Sequence, residues 1–432
     1  RYIHVTFAFI FLLAEAVTFC GAGNVFAFHR GGVGECEGCH TIHNSSNGIS
    51  LGLSGKYLLR GSSPSAVCLN CHQKSGDTGP TTFHVSTADV DMPFSVPPRQ
   101  LTPGGDFGWL KKNYSWTTAA GEPIQTSMGD NHGHNINAPD YGYFPDNYKA
   151  FSPGGSYPSL ALECTSCHEP HGKYRRTFDG TINSTGLPIR DSGSFVSSPD
   201  PNNSLAVGAY RLLAGSGYSP KSLTAGLSFV NNPPLAVAPF PANRSENISQ
   251  TRVAYGAGMS EWCRNCHASI HSAATPTPLI HPSGSGNGRL PSEISSYYDS
   301  YIKTGDLNGK NESSYLSLVP FEVGVTSYAA LKTIVSATPT KGPSPFEGTP
   351  QVMCLSCHRA HASGWDGAMR WNNRTAAIVH EGKYSQEWQS FQPYGQGRSE
   401  AEALRAYYDI PTSQFATEQT PLCYKCHITG TK

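Results

Sequence analysis

Apolar and polar positions follow each other along this chain without any lasting helical or strand period, so regular structure is predicted to be sparse. Short helices are expected around particular motifs, such as residues 258–271, and a capped helix near residues 399–408, where Ser399 and Glu402 have the spacing of a capping box. Residues 152–156, 283–288 and 337–350 read as turns and loops, as should most of the rest. The one sustained apolar run, residues 5–14, lies behind a weakly basic start (Arg1, His4) and is too short to cross a bilayer, which takes about 20 apolar residues. With Val25, Phe26 and Ala27 at cleavage spacing, it predicts a signal peptide, residues 1–27, truncated at its beginning, with Phe28 as the mature N-terminus. Residues 28–432 are then expected to form a single domain.

Composition makes the missing periodicity more pointed. A chain of 432 residues is long enough for two or three cores, yet only 38% of it is hydrophobic and it holds 45 glycines and 32 prolines. Something other than side chains should supply part of the core.

The cysteines say what. Twelve of the thirteen fall in six CxxCH motifs: Cys36, Cys39 and His40; Cys68, Cys71 and His72; Cys164, Cys167 and His168; Cys263, Cys266 and His267; Cys354, Cys357 and His358; Cys423, Cys426 and His427. Two thiols three residues apart lie on one side of a helical turn, where both can add to the vinyls of one haem while the next imidazole reaches its iron. Zinc knuckles or disulfides would leave the residue after the second cysteine free to vary, but it is histidine every time although the chain has only 17 histidines. Six covalently bound haem c groups are expected. Each would tie the chain through two thioethers and two axial ligands, so haem attachment and folding should be coupled. The motif starts are separated by 32, 96, 99, 91 and 69 residues, which excludes a repeat of fixed period.

Cys20 stands outside the motifs and raises a lipid-anchor alternative, against which the bulky Phe19 before it argues. Formal charge is zero, with 31 basic and 31 acidic residues and no basic run of the kind nucleic acid needs. Haem propionates would make the assembled protein acidic unless cations pair with them; Lys173, Arg175 and Arg176 are candidates, the alternative being a solvated charge run.

Setting aside His4 and the motif histidines leaves His29, His43, His84, His132, His134, His171, His271, His281, His361 and His380 as possible second axial ligands. Four follow a motif histidine by one helical turn: His43 in CHTIH, His171 in CHEPH, His361 in CHRAH and His271 in CHASIH. Such a side chain cannot reach the far face of the haem its neighbour already holds, so it is expected to point at another haem, which makes the haems close neighbours. His84, His134 and His281 are the next candidates; His29, His132 and His380 rank below them. If these histidines serve haems attached earlier in the chain, His43 has none to serve, and a haem in a second copy of the chain becomes its target. A heterologous contact of that kind builds an open filament unless its rotation closes.

The strings FHRGGVGECEGCHTIHNS, CLNCHQKSGDTGP, TPGGDFGWLKK, CTSCHEPHGKYRR, GAYRLLAGSGYSPKSL, TRVAYGAGMSEWCRNCH, YLSLVPFEVG, CLSCHRAHASG and LCYKCH are long and unusual. Through them the chain resembles the extracellular hexahaem c-type cytochromes that polymerise into conductive filaments. The likeness runs in order over most of residues 28–427 and is weakest at 337–350 and 371–394. It implies a multihaem cytochrome c fold, mostly loops and turns with short helices around a continuous stack of six haems, and little β-sheet. It further implies that His43 ligates the haem of His358 in the adjacent subunit. Residue 74 is Lys74 where the family pattern has histidine, so that position is no ligand.

The function implied is long-range electron transfer outside the cell by a secreted, non-enzymatic head-to-tail homopolymer. Its redox partners would sit at the outer membrane and among external acceptors, with no nucleic acid involved. Two alternatives stay open: a multihaem oxidoreductase with one exchangeable axial position, disfavoured because every motif ends in histidine, and a monomeric periplasmic or outer-membrane shuttle.

Overall fold

A computed structural model of the chain describes residues 36–41, 43, 45–46, 49–50, 58–74, 83–118, 120–183, 199–202, 206–223, 226–237, 253–270, 283–284, 320, 322–334, 351–375, 377–384, 395–415, 417–419 and 421. Helices among them are short: α1 (Cys36–Cys39), α2 (Pro64–His72), α3 (Met259–Cys263), α4 (Tyr328–Ile334), α5 (Cys354–Cys357) and α6 (Glu400–Ala406). In α2, Ser63 caps the first turn by accepting from Ala66 N at 3.1 Å, and Pro64 takes the first position, where an N–H has no partner to lose. In α6 the expected capping box is present: Ser399 Oγ accepts from Glu402 N at 3.2 Å and Glu402 Oε2 from Ser399 N at 3.0 Å. The helix expected over 258–271 stops at Cys263, and the chain continues in turns.

Strands are two or three residues long and pair in small ribbons, such as Tyr114–Trp116 antiparallel to Gln125–Ser127. Arg175–Arg176 sits between Ile182–Asn183 and Val207–Gly208 in a three-stranded ribbon. That placement corrects the reading of Arg176 as a propionate partner or a solvated charge: it is buried, and its guanidinium donates to the Gly180 and Pro233 carbonyls. Arg175 is buried beside it, with Nε on Gly172 O at 3.0 Å.

Apolar side chains among the described residues gather in separate clusters rather than one core. The largest unites Trp109, Tyr114, Trp365, Trp371, Tyr407 and Phe415, with the Tyr384 and Tyr407 rings stacked at 4.6 Å and 7°. A second forms around Leu69, Phe107, Ile136 and Tyr143, a third around Tyr210, Tyr255, Met259 and Met353. Motif cysteines lie at their margins: Cys357 against the first, Cys164 against the second, Cys263 against the third, Cys266 against a fourth near Tyr174 and Phe229. Clusters this small cannot each offset the entropy of ordering the chain between them, so the groups attached at those cysteines belong to the core. Among the described residues no helix is long and apolar enough to cross a membrane.

Candidate haem sites

The first, third and fifth motifs share one local structure. After a single turn containing both cysteines, the chain meets a short segment in antiparallel fashion: His40 bridges to Leu59, His168 to Leu213, His358 to Met369. The surrounding bonds correspond one by one. Thr41 N donates to Leu58 O, Glu169 N to Leu212 O and Arg359 N to Ala368 O; Arg60 N donates to Cys39 O, Ala214 N to Cys167 O and Arg370 N to Cys357 O. Leu58, Leu212 and Ala368 all have positive φ, of 50°, 55° and 55°. That left-handed kink turns the preceding carbonyl toward the imidazole. So His168 donates Nδ1–H to Arg211 O at 2.9 Å and His358 to Gly367 O at 2.8 Å, leaving Nε2 for iron. The sequence carries a trace of this duplication that motif spacing alone missed: Leu-Leu-x-Gly-Ser occurs at both 58–62 and 212–216.

The second and fourth motifs are built differently, on α2 and at the end of α3. Their imidazoles donate Nδ1–H to distant loops, His72 to Phe83 O at 2.9 Å and His267 to Pro153 O at 2.8 Å. Each even motif packs against the odd motif that follows it. The Cys68 thiol lies against that of Cys164 and the Cys263 thiol against that of Cys354, and a serine three residues before the even motif accepts from the odd motif's first N–H: Ser65 from Cys164 N at 3.0 Å, Ser260 from Cys354 N at 3.1 Å. The attachment points of the second and third motifs, and of the fourth and fifth, are thus in contact.

The structure also sets imidazoles from separate parts of the chain opposite one another. His40 and His171 have centroids 6.3 Å apart with planes at 18°, His168 and His361 are 6.4 Å apart, and His134 and His267 are 6.1 Å apart. A metal between two imidazole nitrogens at about 2.0–2.1 Å, each about 1.2 Å from its ring centre, sets centroids roughly 6.4 Å apart. These pairs are therefore spaced to hold a metal and too far apart for stacking contact. Burial keeps His361 neutral, its pKa pushed down to about 3, and does the same for His134, at about 4, as metal ligation requires.

His361 owes its position to Gly104 and Gly105. A Cβ on Gly104 would lie 2.8 Å from the His361 Nδ1, and one on Gly105, whose φ is +92°, would strike Ala362 O at 1.8 Å. Phe107 stacks on the other side of the ring at 4.7 Å and 22°. His134 and His361 are tied together, because Gly133 bridges to Ala362, His134 N donates to His361 O at 2.8 Å and His134 Nδ1 to Ala360 O at 2.7 Å. His171 instead reaches its place through an exposed turn, with Nδ1 3.0 Å from the Glu169 carboxylate; this bond, opposed by partial burial, raises the His171 pKa.

The remaining candidates separate clearly. His132, two residues from His134, has Nδ1 on Trp109 O at 2.9 Å and Nε2 at 2.8 Å from Ser127 Oγ and 3.3 Å from Arg398 Nη2, so neither nitrogen is left for a metal. His380 is hydrogen-bonded to Glu418 through Nδ1 at 2.6 Å. His84 is buried next to Phe83, and His43 is exposed. His29, His271, His281, Cys423, Cys426 and His427 lie outside the described residues, as do residues 1–27 and 337–350.

Among the described residues no three His, Cys, Asp or Glu side chains converge as a zinc site would need, and the ten described motif cysteines form no disulfide. Thiol pairs beside a short helical turn, an imidazole with its Nδ1 anchored, and a second imidazole across a metal-sized gap fit covalent haem. They define a multihaem c-type cytochrome.

No family model matches the chain. It is 48% identical over 431 residues to the C-type cytochrome OmcS of Geobacter sulfurreducens, covering 96% of this chain and 97% of that protein. Two solved structures superpose on it: the Outer Membrane Cytochrome S filament from Geobacter sulfurreducens, with TM-score 0.81 and 49% identity over 93% of this chain and all of that one, and the OmcS nanowires from the same organism, with TM-score 0.82, 48% identity and the same coverage. The chain belongs to the OmcS family of c-type cytochromes, and its haem is covalently bound.

Proposed function

We propose that this chain carries electrons over long distances outside the cell, as a head-to-tail polymer holding six bis-histidine haem c groups per copy. Each haem iron exchanges one electron without making or breaking a bond, and closely packed haems pass that electron along. The protein's part is to hold the irons, close both axial positions and fix the spacing. Filling both positions leaves no place for a substrate, which favours a carrier over an oxidoreductase.

One observation carries this reading. The ring pairs join the first motif to the third (His40 with His171) and the third to the fifth (His168 with His361), so both of these CHxxH histidines reach two motifs back along the chain. Continued past the last motif, the same rule makes the first motif of the next copy the seventh station, and its extension, His43, then serves the fifth, the haem of His358. Applied to the fourth motif it gives His271 to His72, and His84 and His281 remain for His427. An exposed His43 suits a ligand that acts in another copy. The relatives' filament and nanowire forms support the same assembly. Residues 1–27 act as the export signal, and the partners are redox proteins at the outer membrane and external acceptors such as metal oxides.

His43→Ala is the decisive variant. Electron microscopy should find particles in place of filaments, and the low-spin haem signal should fall by about one part in six as one iron loses a ligand. Filaments of unchanged length with undiminished low-spin signal would sink the proposal and favour the monomeric shuttle.

A further inference from the structure

Among the described residues, six site imidazoles present Nδ1 to a neutral backbone carbonyl: His72, His134, His168, His267 and His358 at 2.7–2.9 Å, and His361 more loosely, to Gly105 O at 3.4 Å. At His171 the acceptor is a carboxylate, Glu169 Oε1, at 3.0 Å. Glu169 is 7% exposed and cannot swing away. Its Oε1 also accepts from His171 N at 3.1 Å, its Oε2 accepts from Lys173 N at 2.5 Å, and its own N–H is bonded to Leu212 O at 2.8 Å in the bridge of the third motif. Three donors converging on one carboxylate hold it in the charged form beside the ring.

A full negative charge on the Nδ1–H bond pushes electron density through the imidazole to Nε2 and makes it a stronger donor than a carbonyl-bonded ring. A stronger anionic donor set favours ferric over ferrous iron. We propose that Glu169 is a positioning residue that acts through His171 to lower the reduction potential of the iron shared by His171 and His40, setting it below the irons whose described ligands bond only carbonyls. This rests on the ligand pairing proposed above, in which His171 is the second ligand of the first haem. In a polymer the low station would recur once per copy, next to the junction, and would be a step electrons climb slowly.

The test is a redox titration of assembled wild-type, Glu169→Gln and His171→Ala filaments, followed by electron paramagnetic resonance as well as optically. The glutamine carbonyl gives His171 the neutral acceptor that the other rings have. Glu169→Gln is expected to raise one midpoint by about a tenfold change in that haem's electron-exchange equilibrium, ~59 mV for one electron, and to move the low-spin line of one species only. His171→Ala should convert that same species to high spin. The proposal is overturned if Glu169→Gln leaves every midpoint and low-spin line in place while His171→Ala abolishes one. A His171→Ala protein that keeps all its low-spin lines would instead overturn the ligand pairing. Should Glu169→Gln fail to assemble, Glu169→Asp keeps the charge but withdraws it from the ring; it should shift the same line in the same direction by less, and no shift would overturn the proposal.

Discussion

His361 and His171 both end a CHxxH sequence, three residues beyond a motif histidine, and both face an imidazole two motifs back, yet their surroundings have little in common. His361 is walled in by Phe107, Gly104 and Gly105 and linked through backbone bonds to His134, a ring that faces a different motif. His171 stands on a turn and is steadied mainly by one buried glutamate. The spacing within the motif decides which iron a histidine can reach. Its neighbours decide how rigidly it is held and how strongly it donates.

The largest effect is expected where close packing and iron ligation coincide. His361→Ala would remove an iron ligand and empty a packed site, so one haem should turn high-spin and the protein should lose about 3–5 kcal/mol, as for other buried aromatic truncations. Denaturant melts with optical spectra check both. The same change at His171 should convert one haem with little loss of stability, and equal losses at the two sites would erase the contrast.

His132→Ala sharpens the comparison from the other side. This ring is buried and hydrogen-bonded to Trp109 and Ser127, with Asp366 and Arg398 around it, and burial pushes its pKa down. Losing it should cost about 2–4 kcal/mol through unpaired buried groups while every haem stays low-spin. A high-spin signal in that variant would make His132 a ligand after all. Gly105→Ala should be next, costing about 1–3 kcal/mol for a positive-φ residue forced to carry a Cβ, with a broadened low-spin signal from a displaced His361 and none from His171.

Much of this architecture can be read from residues alone. CxxCH reports thiols and imidazole within one helical turn, where local geometry leaves little freedom, and CHxxH reports a ring that cannot serve its own motif's haem. The Ser399 and Glu402 cap is equally local, and the structure has it. The loop-rich fold with short helices follows from the many glycines and prolines, and the little sheet from the family resemblance. What could not be read depends on contacts far apart in sequence. His134 ranks above His132 in the sequence, but nothing local shows why they part: His132 closes the turn at Gly129–Asn131 and points into a hydrogen-bonded network, while His134, past the bridge from Gly133 to Ala362, faces His267. Arg176 looks like a surface charge until a three-stranded ribbon buries it. The odd-motif bridge was half visible, as Leu-Leu-x-Gly-Ser at two places, but at the fifth motif its counterpart is Ala368-Met369-Arg370, where only backbone geometry is retained.

The contact between Cys68 and Cys164, and its counterpart between Cys263 and Cys354, bears on how the protein is made. An enzyme that joins haem to thiols needs each CxxCH exposed as a flexible peptide, and these thiols are covered by each other once the chain has packed. Attachment must come first, on an extended chain emerging from export, and packing second. A thiol still bare when the pair closes is then shielded by its neighbour, so a haem missed on the open chain is hard to add later.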